Sequence, residues 1–270
     1  QAQGPASPPS PAPRQVTLEQ AAEALAAATS VVALTGAGMS TGSGLPTRKD
    51  LWEQLDRDSA VSIWRFHEAP EGLWGAVELF LTSPTGLAAP SPAHQALARL
   101  PNLSFIATQN VDDLHQQAAS LAGRPFVGAE LHGTLERVRC QRCGTFTQPP
   151  LATSRSLLGR PLGWPPRCPC GGPLRPDVVL FGEQIPREAL QAALEAAQRC
   201  QVLLVVGCAM DVAPASELPR IAARAGAQVI ELKRTPSRLT HTLGTWHLPG
   251  TADELLPQLV TSARALQGME

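Results

Sequence analysis

The ordered part of the chain is expected to begin with a helix. Leu18, Ala21, Ala22, Leu25 and Ala26 recur at helical spacing, and Thr17 with Gln20 forms a capping box just ahead of them. The period then changes. "VVALTG" from residue 31, "LSFIATQN" at 103–110, "PFVGAELHG" at 125–133, "PDVVLFG" ending at Gly182, "QVLLVVGCA" at 201–209 and "AQVIELK" at 227–233 read as strands. Several are apolar nearly throughout, as strands buried on both faces must be. Helical patterns at about 112–121, 186–199, 214–225 and 252–266 fall between them. That alternation predicts an α/β fold: a doubly wound, Rossmann-like parallel sheet covered by helices.

Two stretches break the rhythm, a Trp-containing helical region at 49–87 and a Pro-, Gly- and Cys-rich region at 138–176. They read as insertions that together build a smaller domain. Residues 1–14 are rich in Pro, Ala and Ser and read as a disordered tail, without the basic start and apolar stretch of a secretory signal. At 270 residues the chain suits one large domain with a small insertion. A 43% apolar fraction and a formal charge of −1 argue against a disordered chain and against direct nucleic-acid binding. The longest apolar run, "VLLVVGCAM", is far shorter than the roughly 20 residues that cross a bilayer, so no membrane partner is expected. Six cysteines, two pairs of them close together, suit a metal site in a reducing, cytoplasmic setting better than a disulfide scaffold.

The first strand runs into "GAGMSTGSGLP", where Gly36, Ala37 and Gly38 place bare backbone N–H groups at the carboxyl edge of a parallel sheet, the place where phosphates bind in such folds. Thr41 replaces the third glycine of the usual Gly-x-Gly-x-x-Gly fingerprint, and a polar loop follows in place of a helix, so a hydride-transfer site is a poor match. Two further strand ends are polar. "TQNVDDLH" carries Gln109, Asn110 and Asp112, able to grip a ribose or a carboxamide, and "ELHG" carries His132 beside a glycine. "CQRC" and "CPC" supply Cys140, Cys143, Cys168 and Cys170, four thiolates that can close a tetrahedral zinc site with no open position, hence a structural one. Cys200 and Cys208 sit in or beside apolar runs and read as ordinary buried cysteines.

With these pieces in this order, the chain resembles the sirtuin family of NAD-dependent protein deacylases from about Val31 to Leu256. "GAGMSTGSGLP" is similar to the family's NAD loop, "TQNVDDLH" to its nicotinamide-pocket motif, "LHG" to the segment with its catalytic histidine, and "CQRC…CPC" to its zinc module. "LRPDVVLFGE" resembles its substrate-binding strand and "VGCAMDVAPA" its second NAD loop. The resemblance implies that residues 15–48, 88–137 and 177–270 form the NAD-binding domain. It implies an NAD-consuming deacetylase, in which the acyl-lysine oxygen attacks the nicotinamide ribose as nicotinamide leaves and O-acetyl-ADP-ribose results. His132 would be the general base, with Asn110 and Asp112 as the other catalytic residues. Gly36, Ala37, Gly38, Ser40, Gln109, Asn110, Val111, Asp112, Gly207, Cys208, Ala209 and Lys233 would contact NAD. Val178, Val179, Phe181, Gly182 and Glu183 would pair with an acetylated protein or peptide as an added strand. One structural Zn2+ completes the set.

The chain also departs from that family. Thr47, Arg48 and Lys49 stand where Asp-Phe-Arg is usual, Cys208 and Ala209 replace two hydroxyl residues near the phosphates, and Lys233 replaces an asparagine that meets the adenosine ribose. With no tyrosine anywhere, the Tyr-x-x-Arg pocket for acidic acyl groups is absent, which argues against desuccinylation. The same constellation would also serve an NAD hydrolase, an ADP-ribosyltransferase or a low-activity NAD or ADP-ribose sensor.

Overall fold

The structure is a computed structural model that describes residues 14–45, 62–82, 88–147 and 166–269. Its main sheet contains β1 (Arg14–Gln15), β2 (Val31–Thr35), β3 (Leu103–Thr108), β4 (Gly128–Glu130), β8 (Val202–Val206), β9 (Gln228–Leu232) and β10 (Trp246–Leu248). These seven strands lie in the order β1-β10-β9-β8-β2-β3-β4, and each neighbouring pair is parallel. The chain winds outward from β2 through β3 to β4, then returns to the other side of β2 and winds outward again from β8. The strand order therefore reverses between β2 and β8, which makes that crevice the topological switch point of the sheet.

Alternation along the central strands explains the layers. Val31 and Ala33 of β2 join one core with α1 (Leu18–Ala27), α4 (Pro92–Ala98) and α9 (Ala252–Leu266). Val32 and Leu34 join the opposite core with α6 (Arg187–Arg199) and α7 (Leu218–Arg224). The expected capping box of α1 is formed, with Thr17 accepting from the Gln20 N–H and Gln20 from the Thr17 N–H.

A second sheet holds β5 (Gly133–Cys140), β6 (Phe146–Thr147) and β7 (Leu174–Val178) in the order β6-β5-β7, antiparallel throughout. Contrary to the expectation from sequence, the "PDVVLFG" run does not enter the parallel sheet: its first residues pair with β5, and Phe181 forms an isolated bridge to Ser62. Phe66 of α2 (Ile63–Glu68), with Leu73, Trp74 and Val77 of α3 (Pro70–Thr82), packs on Leu135, Val138 and Leu180 to give this unit its own apolar core. Arg14, placed in the tail by its composition, pairs with Trp246 and stacks 5.2 Å over its ring. Among the described residues no helix is long and apolar enough to cross a membrane.

Candidate functional site

Register brings the strand ends level. Leu232, Val206, Thr35, Thr108 and Glu130 are successive partners across the sheet, so the residues just past them form one rim. Along that rim stand Lys233, Gly207, Gly36, Gln109 and Leu131, with His132 one step further. At its centre the two loops touch through backbone alone. The Gly36 N–H donates to the Val206 carbonyl at 3.1 Å and the Gly38 N–H to the Gly207 carbonyl at 3.0 Å. A Cβ on Gly38 would lie 2.7 Å from the Gly207 Cα, and one on Gly207, at φ 62°, would lie 2.5 Å from the Gly38 carbonyl carbon. These glycines are therefore required by loop-on-loop packing, whatever else approaches them. Ala37 and Gly38 remain half-buried and Ala209 exposed at the same rim.

On the β3 side the polar groups form one network. Ser40 Oγ donates to Asp112 Oδ2 at 2.7 Å, and Asn110 Nδ2 donates to Ser40 Oγ at 3.0 Å and to the Gly36 carbonyl at 3.1 Å. Asp112 Oδ1 accepts the Leu114 N–H at 3.1 Å, opening α5 (Leu114–Leu121). Since the amide hydrogens of Asn110 already have protein acceptors, its oxygen is the group it can offer a ligand. Val111 sits half-buried beside this network and holds Leu135 through its carbonyl at 3.1 Å.

Beneath lies a buried pair of histidines that the sequence reading did not single out. His94 and His115 meet edge to face, ring centroids 4.8 Å apart. The Ser91 N–H reaches His94 Nδ1 at 3.3 Å, and because that nitrogen must accept, the proton is on Nε2, which points at Ser40 Oγ at 3.4 Å. Ser40 thus has its one donor and both lone pairs engaged. His115 Nε2 lies 2.8 Å from Thr35 Oγ1. Burial lowers the pKa of both rings, for His94 against the opposing pull of Asp112 and Asp253, and both are neutral near pH 7. A signal existed for His94: Ser-Pro-x-His at 91–94 is a helix start whose N3 side chain turns back on its cap.

His132 Nδ1 lies 3.0 Å from the Gln109 carbonyl. A carbonyl only accepts, so Nδ1 carries the proton and Nε2 the lone pair. The segment is pinned from behind: the Val179 N–H donates to the His132 carbonyl at 2.8 Å. Gly133, at φ 76°, packs so closely on the Asp177 carbonyl that no Cβ fits. Val178 closes β7 opposite Gly133, the Phe181 carbonyl accepts from the Ile63 N–H at 3.0 Å, and Gly182, at φ 90°, lies under the Trp64 ring. Glu183 turns inward, accepting from buried Arg175 at 2.7 Å and from the Leu180 N–H at 2.9 Å. Phe181 and Trp64 are the exposed aromatic residues of this edge.

Other placements differ from what residue type alone suggests. Cys208 points into the core, its Sγ 3.5 Å from the Leu34 and Val206 carbonyls, and burial pushes its thiol up to about 12. A hydroxyl at this position would have faced the same carbonyls. Asp113, φ 61°, is pushed up to about 7 by burial and by Glu136, Glu130 and Asp112. Burial also raises Glu130, which accepts from Gln116 at 2.7 Å. Thr47, Arg48 and Lys49 lie outside the described residues.

Away from the rim, the sulfurs of Cys140, Cys143, Cys168 and Cys170 all lie within 4.8 Å of one another, with Cys140–Cys170 at 3.5 Å and Cys143–Cys168 at 3.7 Å. Zn–S bonds near 2.3 Å put tetrahedral corners about 3.8 Å apart, so these residues fit a structural zinc ion. Two tight turns bring them together, with the Gly144 N–H donating to Cys140 and the Gly171 N–H to Cys168. A Cβ on Gly172 would lie 2.8 Å from Cys140 Sγ.

A doubly wound sheet with glycine loops at its switch point and a four-cysteine module beside it defines a dinucleotide-binding protein with a structural metal site. A sequence model of the Sir2 family matches residues 36–214. The NAD-dependent protein deacylase 2 of Pyrobaculum aerophilum is 39% identical over 251 residues, 90% of this chain and 94% of that protein. Among solved structures, a mutant Sir2 homologue in complex with ADP-ribose superposes with a TM-score of 0.82 at 33% identity, covering 93% of this chain and 98% of that one. Sir2Af2 bound to a myristoylated histone peptide gives a TM-score of 0.70 at 31% identity, with 93% and 98% covered. The chain belongs to the Sir2 family.

Proposed function

We propose that this chain is an NAD-dependent protein lysine deacetylase, acting on acetylated protein or peptide substrates, with His132 as general base. The observation that carries the assignment is the Gln109 carbonyl at His132 Nδ1, which leaves the Nε2 lone pair as the ring's basic site at the rim where Asn110 and Asp112 stand. NAD supplies a glycosidic bond whose cleavage releases nicotinamide and leaves the acetyl group on ADP-ribose. The chain's own groups hold and deprotonate. Asn110 offers its oxygen to a ribose hydroxyl, Asp112 is fixed by Ser40 and the Leu114 N–H, and Gln109 and Val111 complete that wall. The N–H groups of Gly36, Gly38 and Gly207 are engaged within the protein, so these glycines serve the diphosphate by allowing close approach, while Ala37, Cys208 and Ala209 present their backbone beside them.

Val178, Val179, Phe181 and Gly182 form the edge along which an acyl-lysine peptide would add as a strand, while the carboxylate of Glu183 shapes that edge from inside. Cys140, Cys143, Cys168 and Cys170 would hold one Zn2+ with every position filled by sulfur, so the ion orders the smaller domain and activates no water. Reduced thiols at that site suit a cytoplasmic protein.

The test is free nicotinamide, measured with NAD in the presence and absence of an acetyl-lysine peptide. Peptide-dependent release is the expected outcome. Release that ignores the peptide would assign an NAD hydrolase or ADP-ribosyltransferase instead, and ADP-ribose binding without release would assign a sensor.

A further inference from the structure

The two arms of the rim are unequally equipped. On the β3–β4 arm stand His132, Asn110 and Asp112, tied together by hydrogen bonds. On the β8–β9 arm the Cys208 thiol is turned into the core, Ala209 offers a methyl group, and the polar side chain that follows β9 is that of Lys233. Strands about 4.8 Å apart put the end of β9 roughly 14 Å from the end of β3, across the switch point. If the nicotinamide ribose lies at His132, as the proposed function has it, and the diphosphate lies over Gly36 and Gly207, the adenosine half falls on the β8–β9 arm beside Lys233.

The surroundings of Lys233 make its charge informative. The residue is half-buried, and among the described residues no carboxylate lies within ion-pair distance of it. The carboxylates nearby are occupied elsewhere. Glu231, two positions earlier, accepts through Oε2 from the Ser237 N–H and from Thr240, while its buried Oε1 has no hydrogen-bond partner among the described residues and forms no ion pair with Lys233. Asp253 accepts the Ala93 N–H at 3.0 Å, and Glu254 is bonded to Thr251 and faces the exposed Arg234. Lys233 follows Leu232, whose register partner Val206 precedes Gly207, so the residue stands on the rim one strand away from the second glycine loop.

Bare ribose hydroxyls are ordinarily read by a carboxylate or an amide, whereas a cation at that position in a dinucleotide fold matches a phosphate on the adenosine ribose. A half-buried ammonium with no ion-pair partner among the described residues gains most from an anion. We propose that Lys233 is a specificity-determining residue that accepts a phosphate on the adenosine ribose, so that the chain binds the phosphorylated form of the nicotinamide dinucleotide at least as well as NAD.

Calorimetry with ADP-ribose and 2′-phospho-ADP-ribose tests this without relying on turnover. The wild-type chain is expected to bind the phosphorylated ligand as tightly or more tightly. Lys233→Gln should weaken it about tenfold relative to ADP-ribose, the loss of one charge-assisted contact. Lys233→Arg should keep the preference, and Lys233→Asn gives a second neutral replacement should the glutamine variant fold poorly. Tighter binding of ADP-ribose by the wild type, or equal loss of both ligands in the neutral variants, overturns the inference. Binding of ADP-ribose but not of its phosphorylated form overturns the role of Lys233 alone, whereas binding of neither overturns the proposed function with it.

Discussion

The two sheets of this protein are held together by different means, and the difference decides where chemistry can be placed. The parallel sheet has apolar cores on both faces, and its rim is locked by contacts between glycine backbones. The antiparallel unit has one small core around Phe66 and Trp74, a buried Arg175 paired with half-buried Glu183 at 2.7 Å, and four cysteines gathered where one ion would fit. Precise positioning belongs on the element with the deeper core. His132 stands on the seam: its ring is oriented by Gln109 of the parallel sheet and its backbone by Val179 beyond β7.

Removing zinc should break the comparison most visibly. A strong chelator should unfold the region around Cys140 to Cys170, because structural zinc contributes roughly 10 kcal/mol or more to a site of this kind. Turnover should vanish with the support of Val179, while ADP-ribose binding to the parallel sheet should change only a few-fold. Elemental analysis should find one zinc per chain, and amide exchange should localise the unfolding. A protein that is fully folded and metal-free would show that the cysteines do not need the ion.

His132→Ala acts on the seam itself. Nicotinamide release should drop by about 10²–10⁴-fold, the usual contribution of a general base. Affinity for ADP-ribose should hold, since the glycine loops and the Asn110 network are untouched. Parallel loss of affinity and turnover would mean that the ring binds the dinucleotide and does not serve as its base.

How much of this was legible depended on length and burial. β2 and β8 could be read because five consecutive buried residues leave a nearly unbroken apolar run, and β9 because Val229, Ile230 and Leu232 are buried and apolar. β1 and β10 are two and three residues long, too short for any period to show. The "PDVVLFG" run was misplaced because apolar content says nothing of strand direction, and Val178 to Phe181 owe their character to the small core and the exposed edge. Asn110, Asp112 and His132 were legible because polar residues directly after apolar strands are conspicuous. For His94 the Ser-Pro-x-His spacing signals only a helix start, and its contact with the site appears only when Ser40 is brought to it from far along the chain. The inward turn of Cys208 follows from the left-handed backbone at Gly207, which residue type alone does not reveal.

Gly207→Ala probes the rim of the larger sheet. The new Cβ would meet backbone atoms of Gly38 and Met39 at 2.5 Å, and the residue would still have to hold φ 62°. Backbone neighbours cannot swing aside as a side chain can, so a loss of about 2–4 kcal/mol in stability is expected, together with weakened ADP-ribose binding. Zinc content should be unchanged. Urea unfolding and calorimetry check both halves, and an unaltered affinity would show that the loops can separate without losing the ligand.

The smallest effect is expected at Asp113, which lies between the two sheets and faces the carboxylates of Glu136, Glu130 and Asp112, with Gln117 as its donor. The folded chain holds the Asp113 proton up to about pH 7, whereas the unfolded chain releases it near pH 4. Between those values the folded state binds more protons, so this residue lowers stability progressively as pH rises and exerts its full penalty above pH 7. His94 and His115 work in the other direction: held neutral by burial, they withdraw stability as pH falls below about 6.5. Asp113→Asn removes the first effect and leaves the second, and asparagine also suits the left-handed backbone. Because the site is partly open to solvent, the gain should be only about 1–2 kcal/mol at pH 8, shrinking toward zero near pH 4. Urea unfolding of the variant and the wild type at both pH values measures it, and a gain of equal size at both would assign the improvement to backbone preference and not to relief of charge.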